Sequence, residues 1–80
     1  MPRPLRVHFL TRAGCHLCEQ AQPVVAEVCE RAGVAWVGVD IDSDADLRAR
    51  WTNDVPVVVV DDVVHSRWTV DPDALAAALA

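Results

Sequence analysis

The sequence predicts an α/β protein with the element order βαβαββα, in which three helices flank a four-stranded mixed sheet. Three observations lead to this prediction. Short apolar strand patterns alternate with helical patterns, as in a parallel βαβ unit. A Cys-x-x-Cys pair, Cys15 and Cys18, lies where the first strand pattern passes into the first helix. Only two residues separate the third and fourth strand patterns, which indicates an antiparallel hairpin.

The first half of the chain is predicted to form a strand, a helix and a second strand. The first strand runs from Leu5 to Leu10, and the helix runs from residue 15 or 16 to about residue 31, where Gly33 ends it. Pro23 falls inside this helix and should kink it. The second strand, residues 34–41, is almost continuously apolar, which predicts burial on both of its faces.

The second half is predicted to contain a short helix, a hairpin and a final helix. Ser43 is the expected N-cap of the short helix 44–51, with Asp46 at capping-box spacing. Strands at 57–60 and 63–68 flank a turn at 61–62. Asp71 caps the last helix, 73–79, and is followed by a proline at the first helical position. Together these elements predict a single domain over residues 1–80.

Composition and charge limit the possible functions. The chain is 52% hydrophobic over 80 residues, enough for one core, and its formal net charge is −5. An acidic domain is unsuited to nucleic acid or an anionic membrane, since both require a basic patch. Three cysteines are too few for a disulfide framework. No signal peptide or membrane-spanning run is evident. We therefore predict a cytoplasmic protein with no nucleic-acid or membrane partner.

The cysteine pair predicts thiol–disulfide chemistry. The first turn of a helix has unpaired N–H groups and the positive end of the dipole, and both stabilise a thiolate at Cys15. Cys18 lies about one turn further on, where it can form a disulfide with Cys15 and resolve a mixed disulfide. The alternative to this redox interpretation is that Cys15 and Cys18 are two unpaired structural cysteines. Cys29 lies about three turns beyond Cys18, too far to pair, and is expected to be a small buried side chain.

Arg12 and His16 flank the predicted nucleophile and are candidate substrate-binding residues. Either cation can stabilise the Cys15 thiolate, and Arg12 can also bind a carboxylate. An ordinary surface position suits both residues equally well. Cys15, His16 and Cys18 are also all metal-ligand types, but a structural zinc site requires a second pair that the sequence lacks. We predict no metal and no cofactor.

Two further groups of residues have structural interpretations. A run of alternating carboxylates lacks the glycine and glutamate that an EF-hand loop requires, so strand ends and helix caps are predicted instead. The tryptophans are expected in the core or on the sheet, with an exposed position near the cysteines left open for Trp68. The carboxylates are Asp40, Asp42, Asp44 and Asp46, and the other tryptophans are Trp36 and Trp51.

These residues together resemble the thioredoxin superfamily. The motif Gly-Cys-x-Leu-Cys, which ends at Cys18, is similar to that of small bacterial glutaredoxin-like proteins. The Val55-Pro56 pair before an apolar strand is also similar. The resemblance covers nearly the whole chain and implies a thioredoxin-like fold of the minimal glutaredoxin order. It implies that Cys15 attacks and Cys18 resolves. It also implies that Pro56 is a cis proline whose neighbour Val55 pairs with the substrate backbone.

Some positions depart from better-known members of the superfamily. Typical glutaredoxins have a Gly-Gly pair after the fourth strand and a threonine before Val-Pro, whereas this chain has Ser66-Arg67 and Asp54. The bulk of Arg67 and the negative charge of Asp54 count against a glutathione site. Thioredoxins have a buried acid six residues before the first cysteine, where this chain has Phe9.

The sequence therefore predicts a small cytoplasmic thiol–disulfide oxidoreductase. Its expected substrate is a protein disulfide or a low-molecular-weight thiol compound, and its electrons are expected from a thiol reductase that the sequence does not identify. One alternative is a thioredoxin-fold module that binds a metal or an iron–sulfur cluster through Cys15 without redox catalysis. Another is a non-catalytic interaction domain.

Overall fold

The structure is a computed structural model in which residues 2–80 are described. The sheet has the strand order β2-β1-β3-β4. β1 is parallel to β2 and antiparallel to β3, and β3 is antiparallel to β4. The predicted mixed sheet with three helices is confirmed. The elements are β1 (Leu5–Thr11), α1 (His16–Ala32), β2 (Ala35–Asp40), a 3₁₀ turn (Ile41–Ser43), α2 (Ala45–Trp51), β3 (Val57–Val60), β4 (Val63–Arg67) and α3 (Pro72–Leu79).

β1 and β3 form the centre of the sheet, because each has a neighbouring strand on both sides. Val7 and Phe9 of β1 and Val57 and Val58 of β3 are at most 1% exposed. Successive residues of β3 point to opposite faces of the sheet, so both faces of this strand are covered. This burial explains the run of four valines in β3.

The helices cover the two faces of this sheet. α1 and α3 pack against each other, and α3 adds the buried Leu75 and Leu79 to the core. α2 lies on the opposite face, where Leu47 and Trp51 line a shallow cavity with His8 of β1. None of the helices in residues 2–80 has the length and apolar character needed to cross a membrane. The buried residues of α1 are Cys18, Ala21, Val25, Val28 and Cys29.

α1 runs without interruption across Pro23. Pro23 is exposed, so its ring lies on the solvent side of the helix. Gly33 follows the helix with a φ of +72°, and its N–H donates to the carbonyl of Glu30 at 3.3 Å. The predicted glycine cap is therefore confirmed, because the left-handed conformation suits glycine.

β2 is an edge strand, so the prediction that it is buried on both faces is wrong. In the described part of the chain, β2 pairs only with β1. The other side of β1 pairs with β3, so β2 lies at the edge of the sheet. Val37 is 39% exposed. Trp36 is half-buried and meets Phe9 edge-on, with ring centroids 6.1 Å apart. Side-chain packing of this kind accounts for part of the apolar character of an edge strand.

The N-cap of α2 is Asp44 and not Ser43, which corrects another prediction. The Asp44 carboxylate accepts hydrogen bonds from the N–H groups of Asp46 and Leu47, at 2.8 and 3.2 Å. Ser43 instead ends the 3₁₀ turn and donates its hydroxyl to the Asp40 carbonyl at 2.6 Å. The 3₁₀ turn thus displaces the cap by one residue. Asp40 caps the 3₁₀ turn and Asp44 caps α2, which agrees with the general prediction of strand ends and helix caps for this run of carboxylates but not with a cap at Ser43.

Arg6 connects three parts of the fold. Asp61 and Asp62 form the β3–β4 turn with φ angles of +50° and +68°, as a two-residue hairpin turn requires. The Arg6 guanidinium donates to both carboxylate oxygens of Asp61, at 2.6 and 2.9 Å, and to the Leu79 carbonyl at 3.0 Å. This hydrogen bonding holds the pKa of Asp61 below its ordinary value, although partial desolvation opposes the shift.

Replacing Arg6 with glutamine should lower the thermal midpoint at neutral pH, and the deficit should shrink in acid. A carboxyl group whose folded pKa is depressed stabilises the fold above its unfolded pKa, about 3.9, and loses this contribution as the pH falls through the folded pKa. Melting curves of wild type and Arg6→Gln from neutral pH to about pH 2 would measure the change.

Arg48→Gln is the matched control, because Arg48 is an exposed arginine of α2. It should show no deficit that disappears in acid. A deficit of Arg6→Gln that stayed constant across the pH range would contradict the role assigned to the ion pair.

Candidate functional site

Gly14 and the start of α1 position the cysteine pair. Gly14 has a φ of +75°, a left-handed conformation that costs most other residues about 1–2 kcal/mol. Cys15 follows as the N-cap of α1. Its Sγ accepts a hydrogen bond from the N–H of Cys18 at 3.2 Å. The Cys15 sulfur therefore lies at a helix terminus with unpaired N–H groups.

Cys15 and Cys18 are joined as a disulfide, and their Cα atoms are 5.2 Å apart. The two residues differ in their access to solvent. Cys18 is 2% exposed and belongs to the core, whereas Cys15 is only partly buried. A molecule approaching from solvent therefore meets the Cys15 side of the bridge.

Val55 and Pro56 lie at the same end of the sheet as the cysteine pair. This follows from the register of the central strands, in which Leu10 of β1 is opposite Val57 of β3. The residue before Val57 therefore lies beside Thr11, from which the cysteine loop begins. The Val55–Pro56 peptide bond is cis, and both side chains are buried.

Arg12 and His16 are close to Cys15 in sequence but contact other groups. The Arg12 guanidinium donates to both carboxylate oxygens of Asp42, at 2.7 and 3.2 Å, and to the Thr52 carbonyl at 3.5 Å. The His16 side chain is 80% exposed, and its Nε2 lies 3.1 Å from Nε2 of Gln20. The structure directs Arg12 towards Asp42 and His16 towards solvent.

Asp42 is a residue of this region whose role the sequence did not indicate. β1 and β2 are parallel, and Thr11 is in register with Asp40. Arg12 and Asp42 therefore follow the ends of neighbouring strands, which brings their side chains together. The opposite charges just beyond two predicted parallel strands were the available signal. This ion pair fastens the cysteine loop to the segment that follows β2.

Trp68 also lies at this end of the sheet, and it is 51% exposed. Its backbone N–H donates to the Pro56 carbonyl at 2.8 Å. Its indole Nε1–H donates to the Asn53 carbonyl, also at 2.8 Å. Trp68 thus occupies an exposed position near the cysteines, which the sequence had left open for this residue.

Cys29 is a free thiol with 0% exposure in the middle of the core. Burial raises the pKa of this thiol, because the thiolate would lose its hydration. The prediction of a small buried side chain is confirmed. Within residues 2–80, no three His, Cys, Asp or Glu side chains are placed to share a metal ion.

The fold and the paired cysteines are those of the thioredoxin superfamily. Residues 6–80 match the family described as Glutaredoxin-like domain (DUF836). The uncharacterized protein Rv0508 of Mycobacterium tuberculosis is 38% identical over 85 residues, which cover all of this chain and 87% of that protein. The chain therefore belongs to the glutaredoxin-like domain family.

Solved structures show the same fold. Protein Ne2328 of Nitrosomonas europaea has a TM-score of 0.77 at 26% identity, covering 100% of this chain and 94% of that one. A mutant thioredoxin of Halobacterium salinarum has a TM-score of 0.66 at 22% identity, covering 94% of this chain and 70% of that one. At 22% identity the likeness concerns the fold alone. The predicted thioredoxin-like fold is confirmed.

Alkylation of the reduced, native protein should modify Cys15 rapidly and Cys29 only after unfolding. Cys15 is partly exposed at a helix terminus, whereas Cys29 has no solvent access and a raised pKa. Peptide mass mapping after timed labelling, with and without denaturant, would measure both rates. Cys29→Ala should remove the late label at residue 29, but not that at buried Cys18, without changing the early label at Cys15. Labelling of Cys29 as fast as Cys15 in the native protein would contradict this prediction.

Proposed function

We propose that this protein is a thiol–disulfide oxidoreductase that uses a dithiol mechanism. The unequal access of the two sulfurs carries the proposal. Cys15 lies partly exposed at the start of α1, and Cys18 lies buried one turn further on. A reductase of this kind needs one sulfur that meets the substrate and a second that only its partner can reach. Membership of the glutaredoxin-like family supports a thiol-redox role.

Reduction of a substrate disulfide would take two exchange steps. The Cys15 thiolate attacks one substrate sulfur, a bond forms between them, and the other substrate sulfur leaves as a thiolate. Cys18 then loses its proton and attacks Sγ of Cys15. The Cys15–Cys18 disulfide forms, and the first substrate sulfur leaves as a thiolate. Two electrons pass to the substrate, and an external dithiol returns them by the reverse exchange.

The start of α1 favours Cys15 as the attacking group. The Cys18 N–H already donates to Sγ of Cys15 at 3.2 Å, and the helix dipole adds to this stabilisation of a thiolate. The register that brings Val55 and Pro56 to this end of the sheet supports their role in binding the substrate chain. The contacts of Arg12 favour a role in positioning the loop. Exposed His16 remains a candidate for meeting substrate at the surface.

The proposal extends to partners and location. We expect the substrate to be a protein disulfide or a low-molecular-weight thiol compound, and the electron donor to be a thiol reductase. The unpaired Cys29 and the small number of cysteines suit a reducing compartment, which supports a cytoplasmic location.

Replacing each cysteine should separate the two steps. Cys15→Ser should reduce turnover of a disulfide peptide to background, because the first attack is lost. Cys18→Ser should still attack but accumulate a mixed disulfide at Cys15, because the resolving thiol is missing. Turnover with dithiothreitol as donor and the intact mass of the adduct measure these outcomes. Cys29→Ala is the matched control and should retain turnover, whereas full activity of Cys15→Ser would show that the nucleophile is misassigned.

An equilibrium redox titration should show two thiols appearing together and reversibly. The midpoint is expected between about −270 and −180 mV, the range of thioredoxins and disulfide isomerases. Thiols quenched by alkylation in denaturant and counted by mass give the titration curve. A pair that never closes, or thiols that are masked until a chelator is added, would favour the metal-binding alternative.

A further inference from the structure

A groove with a volume of about 150 Å³ lies beside the cysteine pair. It runs between the first two turns of α1 and residues 68–70, which follow β4. Leu17, between the two cysteines, lines one side and is 43% exposed. Trp68 lines the other side and is 51% exposed. The remaining lining residues are all uncharged: Gln20, Ala21, Val24, Thr69 and Val70.

Trp68 is held firmly in its exposed position. Its φ is +66°, in the left-handed region that a bulky residue rarely adopts. Such a conformation persists where the surroundings enforce it, and it is common at binding sites. Here the backbone N–H and the indole N–H are both hydrogen-bonded, to carbonyls of Pro56 and Asn53. An aromatic ring that is fixed and half in water can bind a ligand with little further loss of entropy.

The size and charge of the groove favour one kind of occupant. A cavity of about 150 Å³ lined by apolar side chains can accept benzene, so this groove has room for one large apolar side chain. Its lining offers no cation for a carboxylate, and the whole chain carries a net charge of −5. Glutathione is anionic and has no large apolar side chain. It would gain little from this surface.

We propose that the groove between Leu17 and Trp68 is a specificity site. It receives a large apolar side chain next to the cysteine of a polypeptide disulfide while Cys15 attacks that disulfide. The inference rests on the proposed function and adds the class of substrate. The position of Leu17 supports it, because Leu17 is exposed in the first turn of α1, only two residues beyond Cys15. The hydrogen bond from the Trp68 N–H to the Pro56 carbonyl joins one wall of the groove to the proposed binding segment.

The test compares two disulfide peptides that differ only in the residue beside the cysteine, phenylalanine or serine. Dithiothreitol supplies the electrons, and kcat/KM is measured for each peptide and for glutathione disulfide. Wild type should prefer the phenylalanine peptide by about tenfold, the scale of discrimination by an apolar pocket. Glutathione disulfide should be no better than the serine peptide.

Variants assign the preference to the groove. Trp68→Ala should bring the ratio of the two kcat/KM values close to one, and Leu17→Ala should lower it in part. Trp68→Phe keeps an apolar ring and should retain most of the ratio. Val63→Ala is the matched control, since Val63 is 67% exposed at the far end of β4 and should leave both rates unchanged. The ratio is informative because a general loss of folding lowers both rates together.

The outcomes separate this inference from the proposed function. Equal kcat/KM values for the two peptides in wild type, or an unchanged ratio in Trp68→Ala, would overturn the specificity site and leave the oxidoreductase intact. A dimer that requires Trp68, together with equal peptide rates, would show that the groove holds a second copy instead. Wild type without turnover on any of the three substrates would overturn the proposed function itself.

Discussion

The pairing of β1 with β3 is the constraint on which the rest of the site depends. Because Leu10 lies opposite Val57, the loop that begins at Thr11 and the segment that ends at Pro56 meet at one end of the sheet. Both strands are central and buried, and a slip of one residue would turn every side chain to the wrong face. Core packing therefore determines where the cysteine loop lies relative to Val55 and Pro56.

The disulfide spans the boundary between core and solvent. Cys18 packs among buried side chains, and Cys15 caps the N-terminus of α1 at the surface. On one side the Arg12–Asp42 ion pair fastens the loop, and on the other Trp68 is hydrogen-bonded beside Pro56. The Cys15 sulfur thus lies between two sets of hydrogen-bonded contacts. In the proposed function, these surroundings would select substrates while sulfur exchange stays with the two cysteines.

Much of the fold could be predicted because its signals are local. Helix caps, a proline at the start of α3 and the spacing of two cysteines mark their elements in sequence. The features that could not be predicted depend on long-range pairing. The strand order left β2 at the edge, and the partner of Arg12 is 30 residues away. Ser43 and Asp44 are equally suitable caps by local chemistry, so only the 3₁₀ turn decides between them.

The continuity of α1 across Pro23 has a mechanical consequence. Proline has no N–H, so residue 23 donates no hydrogen bond to the Glu19 carbonyl. The two turns that carry both cysteines are therefore joined to the rest of the helix by one hydrogen bond fewer than usual. Beyond Pro23, Val25 and Cys29 are fixed in the core with 0% exposure. Within α1, the first turns beside the cysteine pair therefore have weaker backbone hydrogen bonding to the buried segment of Val25 and Cys29 than an α-helix without proline would give them.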